Sequence, residues 1–152
     1  MISTESLTSA WIDQVAEKYN YPDKPLLEKS VRALYLLEAL VKEGCPLIFK
    51  GGSSLLLLLK DSLHRLSIDV DIICPPGTDI EKYLDKISSH GFTRVVPTGT
   101  AQTRNNLPVS HSKVYFELNT RPTPARDSLN WMSCMRIIHI LISRPYRLNT
   151  EY

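Results

Sequence analysis

Apolar residues recur at helical spacing along the first third of the chain. A first helix, capped by Ser6 or Thr8, is predicted to run to about Tyr19. A second is predicted to begin near Pro25, a residue favoured in the first helical turn, and to carry an apolar stripe until Gly44 ends it. The pattern therefore predicts two consecutive helices at the N-terminus.

Short apolar runs follow these helices and indicate strands. The run Leu47–Phe49 is long enough only for a buried strand. Ser53 or Ser54 then starts a helix whose unbroken leucines, residues 55–59, indicate burial on most sides. Alternating apolar and polar residues predict a further strand at Ile68–Ile73. A strand, a helix and a second strand are thus expected in succession.

The second half of the chain continues this alternation. Thr78 and Glu81 have capping-box spacing, and the apolar stripe after them predicts a helix up to Gly91. Two strands are predicted at Phe92–Val96 and Lys113–Leu118, and the stretch between them is rich in Gly, Thr, Asn and Pro, which indicates a hairpin connection or a mobile loop. The order α-α-β-α-β-α-β-β predicts an α+β fold in which helices pack on a mixed β-sheet.

The last part of the chain departs from this pattern. Large apolar residues between Trp131 and Ile142 fit either an amphipathic helix or a strand. We expect them to be buried in a homodimer, because covering four such side chains contributes on the order of 6–10 kcal/mol before ordering costs.

The expected organisation is one core followed by a short C-terminal segment. The core, residues 1–120, contains helices at 6–44 and a motif region at 46–119, and the segment consists of residues 121–152.

Composition limits the classes of protein to which the chain can belong. With 152 residues, 43% of them hydrophobic, it is long enough for one domain with a proper core. A formal charge of +2 is far from the basic excess of a dedicated nucleic-acid module, so any RNA contact requires a local patch. Three cysteines without metal spacing indicate reduced thiols, and no stretch is as long and apolar as a membrane span. We therefore expect a soluble, cytoplasmic protein with no membrane partner.

Two carboxylates mark the strand at Ile68–Ile73. In an extended strand, Asp69 and Asp71 point to the same face about 7 Å apart, a spacing that suits one or two hard cations. A simply solvated strand face is the alternative. The apolar context argues against it, because two like charges on a covered face are costly unless a cation or a basic group neutralises them.

A glycine turn precedes this strand. Gly51, Gly52 and Ser53 lie between a predicted strand and a predicted helix, where free N–H groups and the helix dipole favour an anion. The turn matches neither the P-loop nor the dinucleotide-binding glycine pattern, and an ordinary strand-to-helix connection is the alternative. Arg65 and Ser67, just before the carboxylates, are expected to contact phosphates or to orient the aspartates.

A later strand offers a third acid. Lys113, Tyr115 and Glu117 share one face of the predicted strand Lys113–Leu118. If this strand neighbours the one with the aspartates, Glu117 completes a carboxylate triad and Lys113 neutralises phosphate charge. Taken alone, each is an ordinary exposed strand residue.

Together these motifs resemble the AbiEii/AbiGii toxin family of nucleotidyltransferases, a branch of the polymerase-β-like superfamily. The resemblance rests on Lys50–Ser53, on the Arg-x-Ser-x-Asp-x-Asp pattern at Arg65–Asp71, and on Lys113 with Glu117. It covers roughly residues 25–119 and implies a polymerase-β-like nucleotidyltransferase core.

The resemblance also implies roles for these residues. Gly52 and Ser53 are expected to hold a triphosphate, and Glu117 is expected to be the third acidic position beside the aspartates. The expected nucleotide-binding residues are Lys50, Gly51, Gly52, Ser53, Arg65 and Ser67. The expected catalytic residues are Asp69, Asp71, Glu117 and Lys113, the three acids being the metal ligands.

The leading hypothesis is therefore transfer of a nucleoside monophosphate from an NTP to a hydroxyl group, with release of pyrophosphate. Two Mg²⁺ ions, or Mn²⁺, would bridge the acids and the phosphates. The resemblance implies an RNA acceptor such as tRNA and a role as the toxin of a toxin–antitoxin or phage-defence pair, with an antitoxin protein as partner.

A second hypothesis follows from length. Members of this family look considerably longer and continue into a helical region, whereas this chain has only residues 121–152 after the motifs. The alternative is therefore a truncated, catalytically impaired remnant that keeps the fold and acts only by binding or self-association.

Overall fold

The computed structural model describes most of the chain in a single sheet-and-helix unit. The described residues are 1–59, 66–92, 94–102, 108–117, 119 and 132–141. Within this part, no helix is both long and apolar enough to cross a membrane.

Both N-terminal helices form where the sequence predicts them, the first from its cap and the second from Pro25 in its first turn. The Thr8 hydroxyl accepts the Trp11 N–H at the start of α1 (Ser9–Lys18). The Asp23 carboxylate likewise accepts a main-chain N–H at the start of α2 (Lys24–Lys42), 2.9 Å away. A short 3-10 turn precedes α1, and Gly44 follows α2 with φ of +77°. Side-chain caps thus fix both starts, and a left-handed glycine lies just beyond the second helix.

Five strands form one mixed sheet. They are β1 (Ile48–Lys50), β2 (Val70–Cys74), β3 (Arg94–Gln102), β4 (Pro108–Glu117) and β5 (Met132–Leu141). Their order across the sheet is β1-β2-β5-β4-β3. β2 and β5 run parallel, and the other neighbours are antiparallel. The predicted α+β class with a mixed sheet is confirmed.

Two further helices complete the fold. α3 (Gly51–Leu59) follows β1 directly and precedes the acidic segment, and α4 (Ile80–Lys86) follows β2 and continues into a 3-10 turn that ends at His90. The side chain that caps α4 is Asp79. The predicted capping residue, Thr78, instead donates its hydroxyl proton to a preceding carbonyl, so the helix begins one residue later than its sequence pattern suggests.

The main core lies between α2, α4 and one face of the sheet. Its fully buried members include Leu36, Leu40, Val70, Ile72, Leu84, Val114 and Phe116. Cys45 and Cys74 belong to the same cluster as free thiols, and burial raises the pKa of the Cys74 thiol to about 12. Both thiols are buried in the core, and the reduced state of the cysteines stays a prediction. With one sheet face covered in this way, the candidate polar residues of β2 and β4 are on the other.

The connection predicted between the third and fourth strands is shorter than expected. β3 extends to Gln102 and β4 begins at Pro108, so much of the expected loop at 97–111 is strand, while residues 103–107 lie outside the described part. The pairing shifts register between Pro97 and Gly99. An edge strand with such an irregularity tolerates proline and glycine, which is why turn-like composition misled the prediction.

The C-terminal segment contributes a strand to the interior of this sheet. β5 pairs with β2 on one side and with β4 on the other. Its main chain therefore presents no open edge to a second copy of the chain. The expected homodimer rested on apolar side chains rather than on the main chain, and it stays a prediction; Trp131 and Ile142 lie outside the described residues.

Candidate active site

The acidic strand has the two-faced character that its alternation predicts. Val70 and Ile72 are 1% and 0% exposed, whereas Asp71 between them is only partly buried. Asp69 is also partly buried and lies one residue before β2 begins. The carboxylate of Asp71 therefore projects from the face opposite the core, which leaves it open to a ligand.

Gly51 lies directly against the Asp71 carboxylate. Its φ is +80°, a left-handed conformation that non-glycine residues rarely adopt. A Cβ placed on Gly51 would meet Asp71 Oδ2 at 1.9 Å and Asp71 Cγ at 2.8 Å. The absence of a side chain here is thus what allows the carboxylate to occupy its position over the first residue of α3.

Gly52 has no comparable constraint. Of the described residues, only Ser67 would be near a Cβ at this position, its hydroxyl lying at 3.7 Å, which is ordinary van der Waals contact; the φ of Gly52 is not left-handed. The two glycines therefore have different structural requirements, a distinction that the sequence does not reveal.

Ser53 connects α3 to the acidic segment. Its side chain is buried, with 2% of the residue exposed, and its hydroxyl oxygen lies 2.5 Å from the main-chain oxygen of Asp69 and 2.9 Å from the hydroxyl of Ser67. A carbonyl oxygen only accepts, so the single proton of Ser53 goes to Asp69, and Ser67 supplies the proton of the second bond. These bonds hold the segment before β2 against the first turn of the helix.

Lys50 brings a positive charge to the same sheet face. It ends β1 and is the register partner of Asp71 in the antiparallel pair of β1 and β2. Residues directly opposite each other in such a pair project to the same face with Cβ atoms about 5 Å apart. Lys50 is therefore placed to neutralise an anion that approaches Asp71.

The structure does not bring Glu117 to the aspartates. β5 lies between β2 and β4, so the predicted adjacency of the two polar strands is not met. Asp71 pairs with Ile138 on β5, whereas Glu117 pairs with Met132, six residues away. At about 3.4 Å per residue this separates the two carboxylate positions by about 20 Å along the strands alone. A triad cannot form across that distance.

Lys113 has a different placement from Glu117. It pairs with Arg136, the residue that precedes the β5 partner of Val70. Lys113 is therefore level with the start of β2, one strand further across the sheet. Arg136 is a basic position at this level that sequence reasoning missed, because only the register places it between β4 and the acidic strand. Arg65 lies outside the described residues.

A second missed residue is a buried carboxylate. Glu28 of α2 is 0% exposed, pairs with Arg32 at 2.9 Å, and accepts the main-chain N–H of Asn119 just after β4. The guanidinium of Arg32 also lies 4.9 Å from the ring centroid of Phe116. The spacing of Glu28 and Arg32 along a helix would have suggested an ion pair, but not its burial or its link to β4.

The donor set fits a hard divalent cation with few protein ligands. Among the described residues, no group of three or more His, Cys, Asp or Glu side chains is arranged to hold a metal ion. Mg²⁺ commonly uses one or two carboxylates and completes its coordination with water and substrate phosphates. Asp69 and Asp71, both partly open to solvent, meet that requirement.

Comparisons with known proteins concern both the family and the fold. The model of a family described as nucleotidyl transferase AbiEii toxin, Type IV toxin–antitoxin system, matches residues 32–129. No match was found among curated proteins. Similar solved structures include two from Helicobacter pylori, a candidate nucleotidyltransferase and JHP933, each 17% identical with a TM-score of 0.46 over 79% of this chain. The matched parts are 48% and 47% of those proteins, so this chain spans about half their length.

The family match extends over more than half of the chain. It begins within α2 and includes the glycine turn, the acidic strand and all of β4. The predicted family is confirmed by this match: the chain belongs to the AbiEii nucleotidyltransferase toxin family of Type IV toxin–antitoxin systems.

Proposed function

We propose that this protein transfers a nucleoside monophosphate from an NTP to a hydroxyl group in a metal-dependent reaction. The observation that carries the proposal is the Asp71 carboxylate, which lies over Gly51 at the start of α3 on the sheet face opposite the core. Asp69 lies two residues before it, and its main-chain oxygen accepts a hydrogen bond from Ser53 in the first turn of the same helix. Family membership is consistent with the same chemistry.

Asp69 and Asp71 are the proposed ligands of Mg²⁺ or Mn²⁺. When bound, the metal ion supplies charge neutralisation at the phosphates and activation of the attacking hydroxyl. The two carboxylates orient the ion relative to the glycine turn. Glu117 is left out of this ligand set, because β5 separates it from both aspartates.

The phosphates of the NTP are proposed to lie between Lys50 and Lys113. Lys50 is opposite Asp71 in the sheet, and Lys113 is level with the start of β2 across β5. Gly52, which is exposed in the first turn of α3, allows a phosphate to approach the main-chain N–H groups there. These groups hold and neutralise the triphosphate while the aspartates hold the cation.

The acceptor is proposed to be an RNA, specifically tRNA, and the biological role that of a toxin held in check by an antitoxin protein. The toxin–antitoxin character of the family supports the role. With a formal charge of only +2, the chain must contact RNA through a local basic patch, and Lys50 and Lys113 with the Arg136 position on the same part of the sheet supply one. The cytoplasm is the proposed site of action because both substrates are there.

Incubation with each labelled NTP, Mg²⁺ and total tRNA tests the proposal. We expect one or more labels to enter RNA with wild-type protein and none with Asp71→Asn. Absence of labelling for every nucleotide and for added RNA of any class would reject the transferase assignment. Labelling that survives EDTA would reject the metal dependence alone.

A further inference from the structure

The first turn of α3 directs its side-chain contacts toward the acidic segment. Gly51 leaves space that the Asp71 carboxylate fills, and the Ser53 hydroxyl donates to the main-chain oxygen of Asp69. Ser67 adds a hydrogen bond to the same hydroxyl. Both members of the carboxylate pair are thus contacted by residues only two apart in sequence.

The burial of Ser53 bears on the role that the sequence suggested for it. A serine in a glycine turn at a helix start is expected to contact phosphate through its hydroxyl. Here the residue is 2% exposed and its only proton goes to a carbonyl oxygen. The side chain is therefore committed inside the protein and does not face a ligand.

We propose that Ser53 and Gly51 are positioning residues that set the separation and direction of Asp69 and Asp71, and that the Ser53 hydroxyl is not a phosphate ligand. This inference rests on the proposed function, because it assigns a role in forming the same cation site. It changes the interpretation of the motif: the first turn of α3 acts as a template for the carboxylates, and phosphate contact is left to main-chain N–H groups and lysines.

The physical reason lies in where Asp69 sits. Residues 66–69 precede β2 and are not part of a strand, so Asp69 lies at the end of the sheet rather than within it. Two like charges two residues apart repel each other, which favours backbone conformations that move them apart. The bond from Ser53 restrains the peptide of Asp69 directly, while Asp71 is held by the β2 ladder and by its contact with Gly51.

Ser54 provides a matched control in the same helical turn. Its hydroxyl donates to the main-chain oxygen of Gly51, 2.8 Å away within its own turn, and within the part of the chain that the structure describes it makes no bond to Asp69, Asp71 or Ser67. Ser54→Ala therefore removes the same chemical group as Ser53→Ala without touching the restraint on the carboxylates.

The test is a titration of the full chain with Mn²⁺ in the absence of nucleotide, in which electron paramagnetic resonance measures the bound and free ion. We expect Ser53→Ala to weaken Mn²⁺ binding about tenfold, the low end for loss of an outer-shell restraint on a metal ligand. Ser54→Ala should bind as the wild type does, and Ser53→Thr, which keeps the hydroxyl, should restore most of the affinity. In transfer assays, Ser53→Ala should lower kcat and leave the KM for NTP nearly unchanged.

A second pair of variants keeps the test decisive if Ser53→Ala does not fold. Gly51→Ala should lose Mn²⁺ binding, because the new methyl group occupies the space of the Asp71 carboxylate, while Gly52→Ala should retain it. Circular dichroism of each variant separates loss of the site from loss of the fold.

The outcomes distinguish this inference from the proposed function. If Ser53→Ala binds Mn²⁺ normally but raises the KM for NTP, Ser53 is a phosphate ligand and the inference is wrong, while the proposed function stands. If wild-type protein binds no Mn²⁺ with or without NTP, the metal-dependent function is rejected and the positioning role falls with it.

Discussion

The candidate site has two sides that were assembled over very different distances along the chain. On one side, β1, α3 and β2 bring together Lys50, Gly51 and Asp71, all within a short stretch of sequence. On the other side, β4 carries Lys113 and Glu117, and β5 separates them from β2. The structure brings the residues of the first side together, whereas on the second side β5 lies between β4 and β2.

The difference shows what a motif specifies and what it leaves open. A strand, a tight turn and a helix that lead back to a neighbouring strand constrain one another locally, so residues in them converge with little choice. Which strand lies beside β2 is decided by pairing between distant segments, and here the C-terminal strand β5 takes that place. The sequence carries no local signal for that competition.

The largest expected effect is on the side where the residues converge. Asp69→Asn and Asp71→Asn should each reduce NMP transfer about 1,000-fold, equivalent to about 4 kcal/mol of transition-state stabilisation, because a carboxamide keeps the shape but loses the charge that holds the cation. The midpoint temperature of thermal unfolding without metal should be unchanged or slightly raised, since like-charge repulsion between the two aspartates is removed. Asp85→Asn, an exposed acid on α4, is the matched control and should transfer at the wild-type rate.

The next effect concerns the anchor of β4. Glu28→Ala should lower the free energy of unfolding by about 3 kcal/mol, because it leaves Arg32 buried without its partner and removes an acceptor from the Asn119 N–H. Urea unfolding measures the change. Lys42→Ala breaks the more exposed pair of the same spacing on α2, with Glu38, and should cost much less. Equal costs for the two variants would mean that the buried pair does not hold the end of β4.

The glycine pair is expected to show a smaller difference in stability. Gly51→Ala should lower the free energy of unfolding by about 2 kcal/mol, since an alanine is strained in a left-handed conformation and its methyl group must displace Asp71. Gly52→Ala should be neutral or raise it by about 0.5 kcal/mol, because alanine favours the helix. Chemical unfolding of both variants decides between them, and a reversed order would mean that Gly51 is not in contact with the carboxylate.

The smallest effect lies away from both sides and depends on pH. A hydrogen bond from His90 and an ion pair with Lys86 hold the pKa of the Glu43 carboxyl below its ordinary value of 4.5. A depressed folded-state pKa contributes stability that is present above pH 4.5 and is lost as the pH falls through the folded value. Glu43→Gln should therefore flatten the stability curve slightly below pH 4.5, as measured by urea unfolding across that range. If the loss of stability below pH 4.5 is the same in the variant and the wild type, the contacts of Glu43 with His90 and Lys86 do not stabilise the fold.

Sequence patterns predicted the helices and strands better than they predicted which strands lie side by side in the sheet. The start of α1 followed from a capping residue and that of α2 from Pro25, and the alternation of β2 and β4 correctly assigned which side chains face the core. Side-chain caps and alternation are local properties, so they are legible in the sequence. The strand at Pro97–Gln102 was missed, because composition alone does not distinguish an irregular edge strand from a loop.

The sequence identified which residues belong to the site, but not which contact each of them makes. Lys50, Gly51, Ser53 and Asp71 were identified as a group, and the structure brings them together. That Gly51 accommodates a carboxylate and that Ser53 bonds inward depend on packing, which spacing does not encode. The separation of Glu117 from the aspartates likewise depends on strand order, a property of the whole sheet.

Asp69 and Asp71, without Glu117, are the proposed ligands of the divalent cation. The most direct test is Mn²⁺ affinity, measured by titration calorimetry for wild type, Asp71→Asn and Glu117→Gln. We predict that Asp71→Asn loses measurable binding and that Glu117→Gln binds within about twofold of the wild type, since about 20 Å separates the position of Glu117 from Asp71 along the strands. Equal loss of binding in the two variants would contradict this prediction, because that result requires Glu117 to lie beside the aspartates and β4 to be the neighbour of β2.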